Sequence, residues 1–207
     1  MVPMRSPEYD HEVQQKLAAV LVMALAALVG GCTAGVDEPD RQAATSSPEN
    51  LAARVEDSET GLTYSLPEGW IENDPDELLD VFTSSATSAD DEGEGGGLVA
   101  TGPLEGLFAA GETGLADQSE AAAIDFAEFF VPFEGTRDKL ESEAIRVGGH
   151  AAHRTQFRIE PDEERDVFVE AVVIDLGDDG AFALGLFYAD DTRAAAEVEQ
   201  VLASLSA

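Results

Sequence analysis

The stretch DVFVEAVVIDL at residues 166–176 has the β-branched and aromatic composition of a strand. Alternate residues share a face, and one face carries Val167, Val169, Ala171 and Val173. The opposite face is apolar as well, with Phe168, Val172, Ile174 and Leu176. A strand that is apolar on both faces must be covered on both. The stretch therefore predicts a central strand between two packing layers.

The segments around this strand predict its neighbours and its cover. Extended segments at 141–147, 151–160 and 181–189 are separated by GG, PDEER and DDG turn sequences. Segment 181–189 has large residues on one side and small ones such as Gly185 on the other, which lets a helix pack closely. Amphipathic helices are predicted at 119–130 and 192–205, the second capped by Asp191 or Thr192.

Towards the N-terminus the pattern is weaker. A short strand at 63–67 leads into the turn PEGW, and 76–82 is weakly helical. The stretch SSATSADDEGEGGG (84–97) predicts a mobile acidic loop, followed by a strand at 98–101. We expect an α+β fold in which an antiparallel sheet lies between helices.

This order of elements resembles a known family. The strand ending in LPEGW, the strand pair after Gly148-Gly149-His150 and the final helix ending VLASL are similar to the PsbP-like α/β/α sandwich family, which includes the LpqN-type lipoproteins of actinobacteria. The resemblance covers about residues 60–207. It implies a non-enzymatic binding or assembly protein and names no ligand. The extreme acidity of this chain departs from the family pattern.

The N-terminal region carries a targeting signal. Thirteen apolar residues, LAAVLVMALAALV (17–29), have the length of a signal-peptide core and are too short for a comfortable membrane span. The following residues, Val29, Gly30, Gly31 and Cys32, resemble the lipobox of bacterial lipoproteins. The resemblance implies cleavage before Cys32 and acylation of its thiol, which would anchor the chain to a membrane.

Three regions are expected. Residues 1–31 are a lipoprotein signal peptide, and residues 32–59 are the lipidated cysteine with a flexible linker, because they are rich in small polar residues and poor in large apolar ones. Residues 60–207 form the α+β sandwich domain. The expected location is the extracytoplasmic face of the cell membrane.

Charge and composition exclude several functions. Eleven Lys and Arg against 43 Asp and Glu give a net charge of -32, which disfavours nucleic-acid binding. The same charge is repelled by anionic lipid surfaces, so membrane attachment has to come from the lipid on Cys32. A single cysteine excludes a disulfide framework or a Cys-rich metal site.

No catalytic or cofactor motif stands out. His150 and His153, three residues apart on a strand, point to opposite faces and do not share a metal ion easily. The acidic loop at 90–97 lacks the spacing of an EF-hand and is interpreted as solvated, and Trp70 as a cover over the core. We expect no cofactor and no metal.

The sequence thus predicts a membrane-anchored, non-enzymatic module that binds an unidentified protein or small molecule. The alternative is a secreted hydrolase that uses a pair of carboxylates as acid and base. The chain has so many acidic residues that the sequence does not identify such a pair, and the alternative stays open. Two carboxyl groups about 5–10 Å apart in an open cleft would favour this alternative.

Overall fold

The central strand lies in a seven-stranded antiparallel sheet. The computed structural model describes residues 51–74, 79–88, 96–107, 114–130, 135–161, 165–177 and 180–207. The sheet contains β3 (Trp70–Glu72), β4 (Ser84–Ser88), β5 (Gly97–Pro103), β6 (Gly135–Val147), β7 (His150–Pro161), β8 (Val167–Asp175) and β9 (Gly180–Tyr188). Their order is β3-β4-β5-β9-β8-β7-β6. Strands β1 (Leu51–Glu56) and β2 (Thr63–Pro67) form a separate antiparallel pair.

Strand β8 is covered on both faces, as its sequence predicts. Val167, Val169, Ala171 and Val173 belong to one buried cluster, and Val172 and Ile174 belong to a second. The same division applies to β9, where Phe182 and Leu184 join the first cluster and Ala181 and Ala183 the second. The alternation of side chains along a strand therefore assigns each residue to its layer.

Helix α1 (Leu115–Phe130) packs on the first of these faces. Its buried residues are mostly alanines, Ala122, Ala123 and Ala127, which allow the helix to approach β7 and β8 closely. Phe126 contacts Phe82 and Phe182, with ring centroids 5.5 and 5.2 Å away. Such aromatic contacts add to the free energy of burial.

Helix α2 (Thr192–Ala203) packs on the second face against β9, β5 and β2. A Cβ atom at Gly185 would lie 2.6 Å from a methyl group of Val198, so the absence of a side chain at this position permits the close helix contact. Asp191 caps the helix, since its carboxylate accepts a hydrogen bond of 2.8 Å from the Ala194 N–H. The prediction of an antiparallel sheet with two helices is confirmed.

The C-terminal residues return to the sheet's second face. Ser206 and Thr63 exchange backbone hydrogen bonds of 2.8 and 2.9 Å. Ala207 lies against the turn that joins β6 to β7, because a Cβ at Gly148 would be 2.8 Å from the Ala207 nitrogen.

Two stretches interpreted as unstructured contain strands. The linker prediction does not hold for its last residues, because Leu51–Glu56 forms β1 and Asp57 is buried. The Asp57 carboxylate accepts hydrogen bonds from the hydroxyls of Thr83 (2.6 Å) and Thr101 (2.7 Å), which ties the β1–β2 pair to the main sheet. The loop prediction is likewise wrong for Ser84–Ser88, which forms β4. Strand β1 pairs with the neighbouring β2, and long-range contacts of Asp57 fix that pair against the sheet.

The remaining local predictions have mixed outcomes. Residues 79–82 form a turn, in which the Phe82 N–H donates to the Leu79 carbonyl at 2.8 Å, and residues 75–78 lie outside the described part. The helix predicted at 76–82 is therefore wrong for its second half.

Among the described residues, neither α1 nor α2 is long and apolar enough to cross a membrane.

Candidate binding surface

The residues predicted for lipidation and cleavage, Val29, Gly30, Gly31 and Cys32, lie outside the described residues. Most of the acidic loop, at 90–95, lies outside them as well. The lipid anchor therefore stays a prediction. Among the described residues, the candidate surface lies at one edge of the main sheet, on β6 and β7.

Strand β6 is the long edge of the main sheet. It has 13 residues, and all except Ile145 and Val147 are exposed. Strand β7 pairs with it on one side, and no described strand pairs with it on the other. An edge strand presents backbone N–H and C=O groups to which another strand can bind.

The turn at Gly148 and Gly149 determines which backbone groups point outward. Both glycines have positive φ angles, 57° and 94°, as a two-residue type I′ hairpin requires, and Val147 pairs with His150. Such a turn is closed by a hydrogen-bonded pair, and hydrogen-bonded and non-hydrogen-bonded pairs alternate along antiparallel strands. Ser142, Ala144 and Arg146 are therefore in non-hydrogen-bonded pairs, and their N–H and C=O groups face the open edge.

A groove adjoins this part of the edge. It has a volume of about 520 Å³ and is lined by Leu115 of α1 together with residues 144–146 and 151–153 of the two strands. Most of its lining side chains are apolar, and no carboxylate is among them. Ala144 and Arg146 thus contribute both an outward-facing backbone and side chains that line the groove.

The β6–β7 hairpin has the opposite charge balance to the rest of the chain. Residues 135–161 carry five basic and four acidic side chains, whereas the whole chain has a net charge of -32. Arg137 and Lys139 are paired with Glu128 (3.2 Å) and Glu120 (2.8 Å) of α1. Arg146 makes no ion pair with any described residue, and its guanidinium donates to the Gly149 carbonyl at 2.7 Å. Arg146 is therefore a cation available to a partner's carboxylate.

The two histidines contact different groups. His153 Nε2 is 2.9 Å from the Ser142 hydroxyl on the groove side, and His150 Nδ1 is 3.2 Å from the Asp175 carbonyl oxygen. A Ser–His pair needs a third group to orient the base. No described carboxylate is hydrogen-bonded to His153, and no cluster of three metal-binding side chains occurs among the described residues.

A buried carboxylate lies on the opposite face of the sheet. Glu170 of β8 is 2% exposed and accepts a hydrogen bond of 3.2 Å from the Gln156 side chain. Arg154 lies 3.6 Å from its second oxygen, which has no hydrogen-bond partner, and also pairs with the exposed Glu141 and Glu143. Burial raises the pKa of Glu170 to about 7, although Arg154 favours the charged form.

Glu170 was not singled out from the sequence, although a signal was present. It is an acid within a strand that is otherwise apolar on both faces, so it has to be buried. A glycosidase pair works in a cleft that is open to solvent and substrate, and the buried Glu170 does not have that environment. Trp70 covers the core, as the sequence predicts: it is 8% exposed, and its indole N–H donates to Glu197 at 2.9 Å.

A comparison with one solved structure agrees with the fold. The solution structure of the cyanobacterial PsbP protein CyanoP from Synechocystis sp. PCC 6803 is similar to this chain with a TM-score of 0.53 and 14% identity, over 84% of this chain and 96% of that one. LpqN of Mycobacterium tuberculosis, described as involved in cell envelope biogenesis, has a TM-score of 0.48 and 12% identity, over 74% of this chain and 88% of that one. The resemblance to a PsbP-like domain is confirmed.

Sequence comparisons assign the family. The chain matches no curated protein sequence. The family model described as "Fibronectin-attachment protein (FAP) domain" matches residues 54–173, which include all of α1 and the whole β6–β7 hairpin. The match spans more than half of the sequence, and the chain belongs to the fibronectin-attachment protein domain family.

Proposed function

We propose that this protein is a non-enzymatic attachment module on the outer side of the cell membrane, where it binds an extracellular protein. The family match over residues 54–173 is the observation that carries this proposal. The family is named for attachment to fibronectin, so fibronectin is the first ligand to test. The groove and the open edge of β6 lie within the matched residues and offer a surface for such a ligand.

Membrane attachment through Cys32 is part of the same proposal. The apolar run at 17–29 and the lipobox-like residues Val29, Gly30, Gly31 and Cys32 support it. Residues 33–50 then act as a tether between the lipid and β1. With its charge of -32 the chain gains nothing electrostatically from an anionic membrane, so the acyl chains supply the attachment.

The architecture we propose for this module is a sheet with a helical layer on each face. The separate clusters of α1 and α2 on opposite sides of β8 support it. The β1–β2 pair shares the face of α2, since Val55, Tyr64 and Leu66 belong to the same buried cluster.

Binding to immobilised fibronectin tests the proposed function. The full-length protein is reconstituted in neutral lipid vesicles and passed over fibronectin and, as a control, over serum albumin. We expect saturable binding to fibronectin that persists in about 0.5 M salt. At that concentration the Debye length is about 4 Å, so exposed charges are largely screened. Equal retention on both surfaces, or loss of binding with salt alone, would refute attachment.

The anchor is tested separately. Mass spectrometry of the membrane fraction is expected to show a chain that begins at Cys32 and carries acyl groups. Cys32→Ser should give a chain that carries no acyl groups and no longer begins at residue 32, without changing its affinity for the ligand. An unprocessed wild-type chain in the cytosol would exclude the anchor.

A further inference from the structure

The open edge of β6 and the groove beside it form one continuous surface. Ser142, Ala144 and Arg146 direct their backbone groups outward and their side chains to the α1 side of the sheet, where Ala144 and Arg146 line the groove. A strand added to this edge would place every second side chain on the groove side. In that arrangement the edge would donate and accept hydrogen bonds along the backbone, and the groove would contact the side chains of the added strand.

The charges around the groove identify the chemistry of the occupant. Residues 144–154 contain no Asp or Glu in a chain that has 43 of them. The Arg146 guanidinium has no ion-pair partner among the described side chains, and the acids nearest in sequence, Glu141 and Glu143, point to the opposite face and are held by Arg154. Charges separated by more than the Debye length of about 8 Å contribute little, so the local cation decides what binds here.

We propose, on the basis of the proposed function, that an extended segment of the protein partner adds as a strand to residues 142–146 of β6. This segment places a carboxylate against Arg146 and an apolar side chain in the groove. A second copy of this chain is a poor occupant, because two molecules of charge -32 repel each other. The partner thus contributes an extended strand with one acidic and one or more apolar residues on the same face.

A short peptide tests the docking surface independently of fibronectin. The probe is a capped heptapeptide of alternating threonine and valine in which the central valine is replaced by glutamate, and the control has lysine there. The full-length protein in detergent micelles is titrated with each peptide and followed by NMR. We expect the glutamate peptide to shift the amide signals of 142–146 and to bind about tenfold more tightly than the lysine peptide, although the net charge of the protein favours lysine.

Two variants locate the binding. Ala144→Pro removes one outward N–H and leaves the hydrogen-bonded pairs with β7 in place, so it should abolish peptide binding. Arg146→Glu should weaken binding of the glutamate peptide at least about tenfold. Arg54→Glu on β1 makes the same change in net charge at the other described arginine without an ion pair, and it should bind as the wild type does. If Ala144→Pro fails to fold, Arg146→Glu against Arg54→Glu still decides the outcome.

Each result separates the docking surface from the proposed function. Peptide binding at β6 without fibronectin binding supports the surface and removes fibronectin as its ligand. Fibronectin binding that is the same in wild type, Ala144→Pro and Arg146→Glu overturns the docking surface and leaves attachment intact. Absence of any shift with the glutamate peptide, or self-association that Ala144→Pro prevents, also overturns it.

Discussion

Strands β8 and β6 belong to the same sheet and differ in almost every physical respect. The side chains of β8 are buried on both faces, with Val169, Val173 and Ile174 fully inaccessible, whereas most of β6 is exposed. Strand β8 has a paired strand on either side, whereas β6 is paired on one side alone among the described strands. Within one sheet, the central strand is buried on both faces and the edge strand is mostly exposed to solvent.

Charge follows the same division. Glu170, the only acid within β8 apart from its last residue, is buried at a free-energy cost. Strand β6 instead alternates basic and acidic side chains that pair with α1 and β7. Charged side chains on an edge discourage indiscriminate pairing of strands. The part of β6 from Ala144 to Val147 has no carboxylate, which marks it as the place where this protection is relaxed.

Hydrogen exchange gives the largest expected contrast between the strands. Amides of β8 should exchange only on global unfolding, while the outward amides of Ser142, Ala144 and Arg146 should exchange about a thousandfold faster or more. The intervening amides of Glu143 and Ile145 should be slower than their neighbours, because they bond to β7. Uniform protection along 142–146 would mean that the edge is covered. Native-state exchange followed by NMR measures each amide.

Matched isoleucines compare packing in the two strands. Ile174→Ala in β8 should lower the free energy of unfolding by about 2–5 kcal/mol, because the residue is 0% exposed and leaves a cavity. Ile145→Ala in β6 should lower it by about 1 kcal/mol or less, since Ile145 is only partly buried. Urea unfolding of both variants provides the values. Equal losses would contradict the division between centre and edge.

The raised pKa of Glu170 is expected to make the free energy of unfolding depend on pH. Its pKa is raised from 4.5 to about 7 in the folded protein, so the folded state binds the proton more tightly and stability increases as the pH falls from 8 to 5. The shift corresponds to about 2–3 kcal/mol over that range. Conversely, stability is lost as the pH rises through 7.

The matched control for this prediction is Glu143→Gln. Glu143 contacts the same arginine from the exposed edge strand, and its replacement changes the net charge equally. Urea unfolding at several pH values should show the increase in wild type and Glu143→Gln, and a much smaller one in Glu170→Gln. The same slope in all three proteins would assign the effect to general charge repulsion.

The smallest effect is expected at the bulge of β6. Leu140 lies where the register between β6 and β7 shifts and is 50% exposed. Leu140→Ser should change the free energy of unfolding by less than about 0.5 kcal/mol. A loss above about 1 kcal/mol, measured by thermal or urea unfolding, would show that the edge is packed more tightly than its exposure indicates.

Local sequence pattern predicted the strands that bury their own residues. Strand β8, strand β9 and the α2 cap at Asp191 follow from alternation, small residues and capping chemistry within the segment itself. Strands β1 and β4 are not predicted from the sequence, and the long-range contacts of Asp57 with Thr83 and Thr101 that link the two regions are not visible in a local pattern. The first half of β6 was missed for the same reason: its charged residues resemble a loop until their partners on α1 are known.

The candidate binding surface was only partly predictable from the sequence. The strand at 141–147 and the turn at Gly148 and Gly149 were predicted, and the histidines were placed on opposite faces. Which strand forms an edge depends on long-range pairing, here of β5 with β9, and no local pattern records it. The groove likewise requires Leu115 to lie beside residues that follow it by about thirty positions.

The position of Ala207 has a practical consequence. Because Ala207 lies against Gly148 at the tip of the β6–β7 hairpin, an affinity tag or fluorescent protein fused to Ala207 would emerge at the end of strand β6, on the face opposite the groove. A bulky fusion there would crowd the turn that ends the proposed docking edge. Reporters for this protein are better inserted in the segment that precedes Leu51, which is distant in sequence from the β6–β7 hairpin.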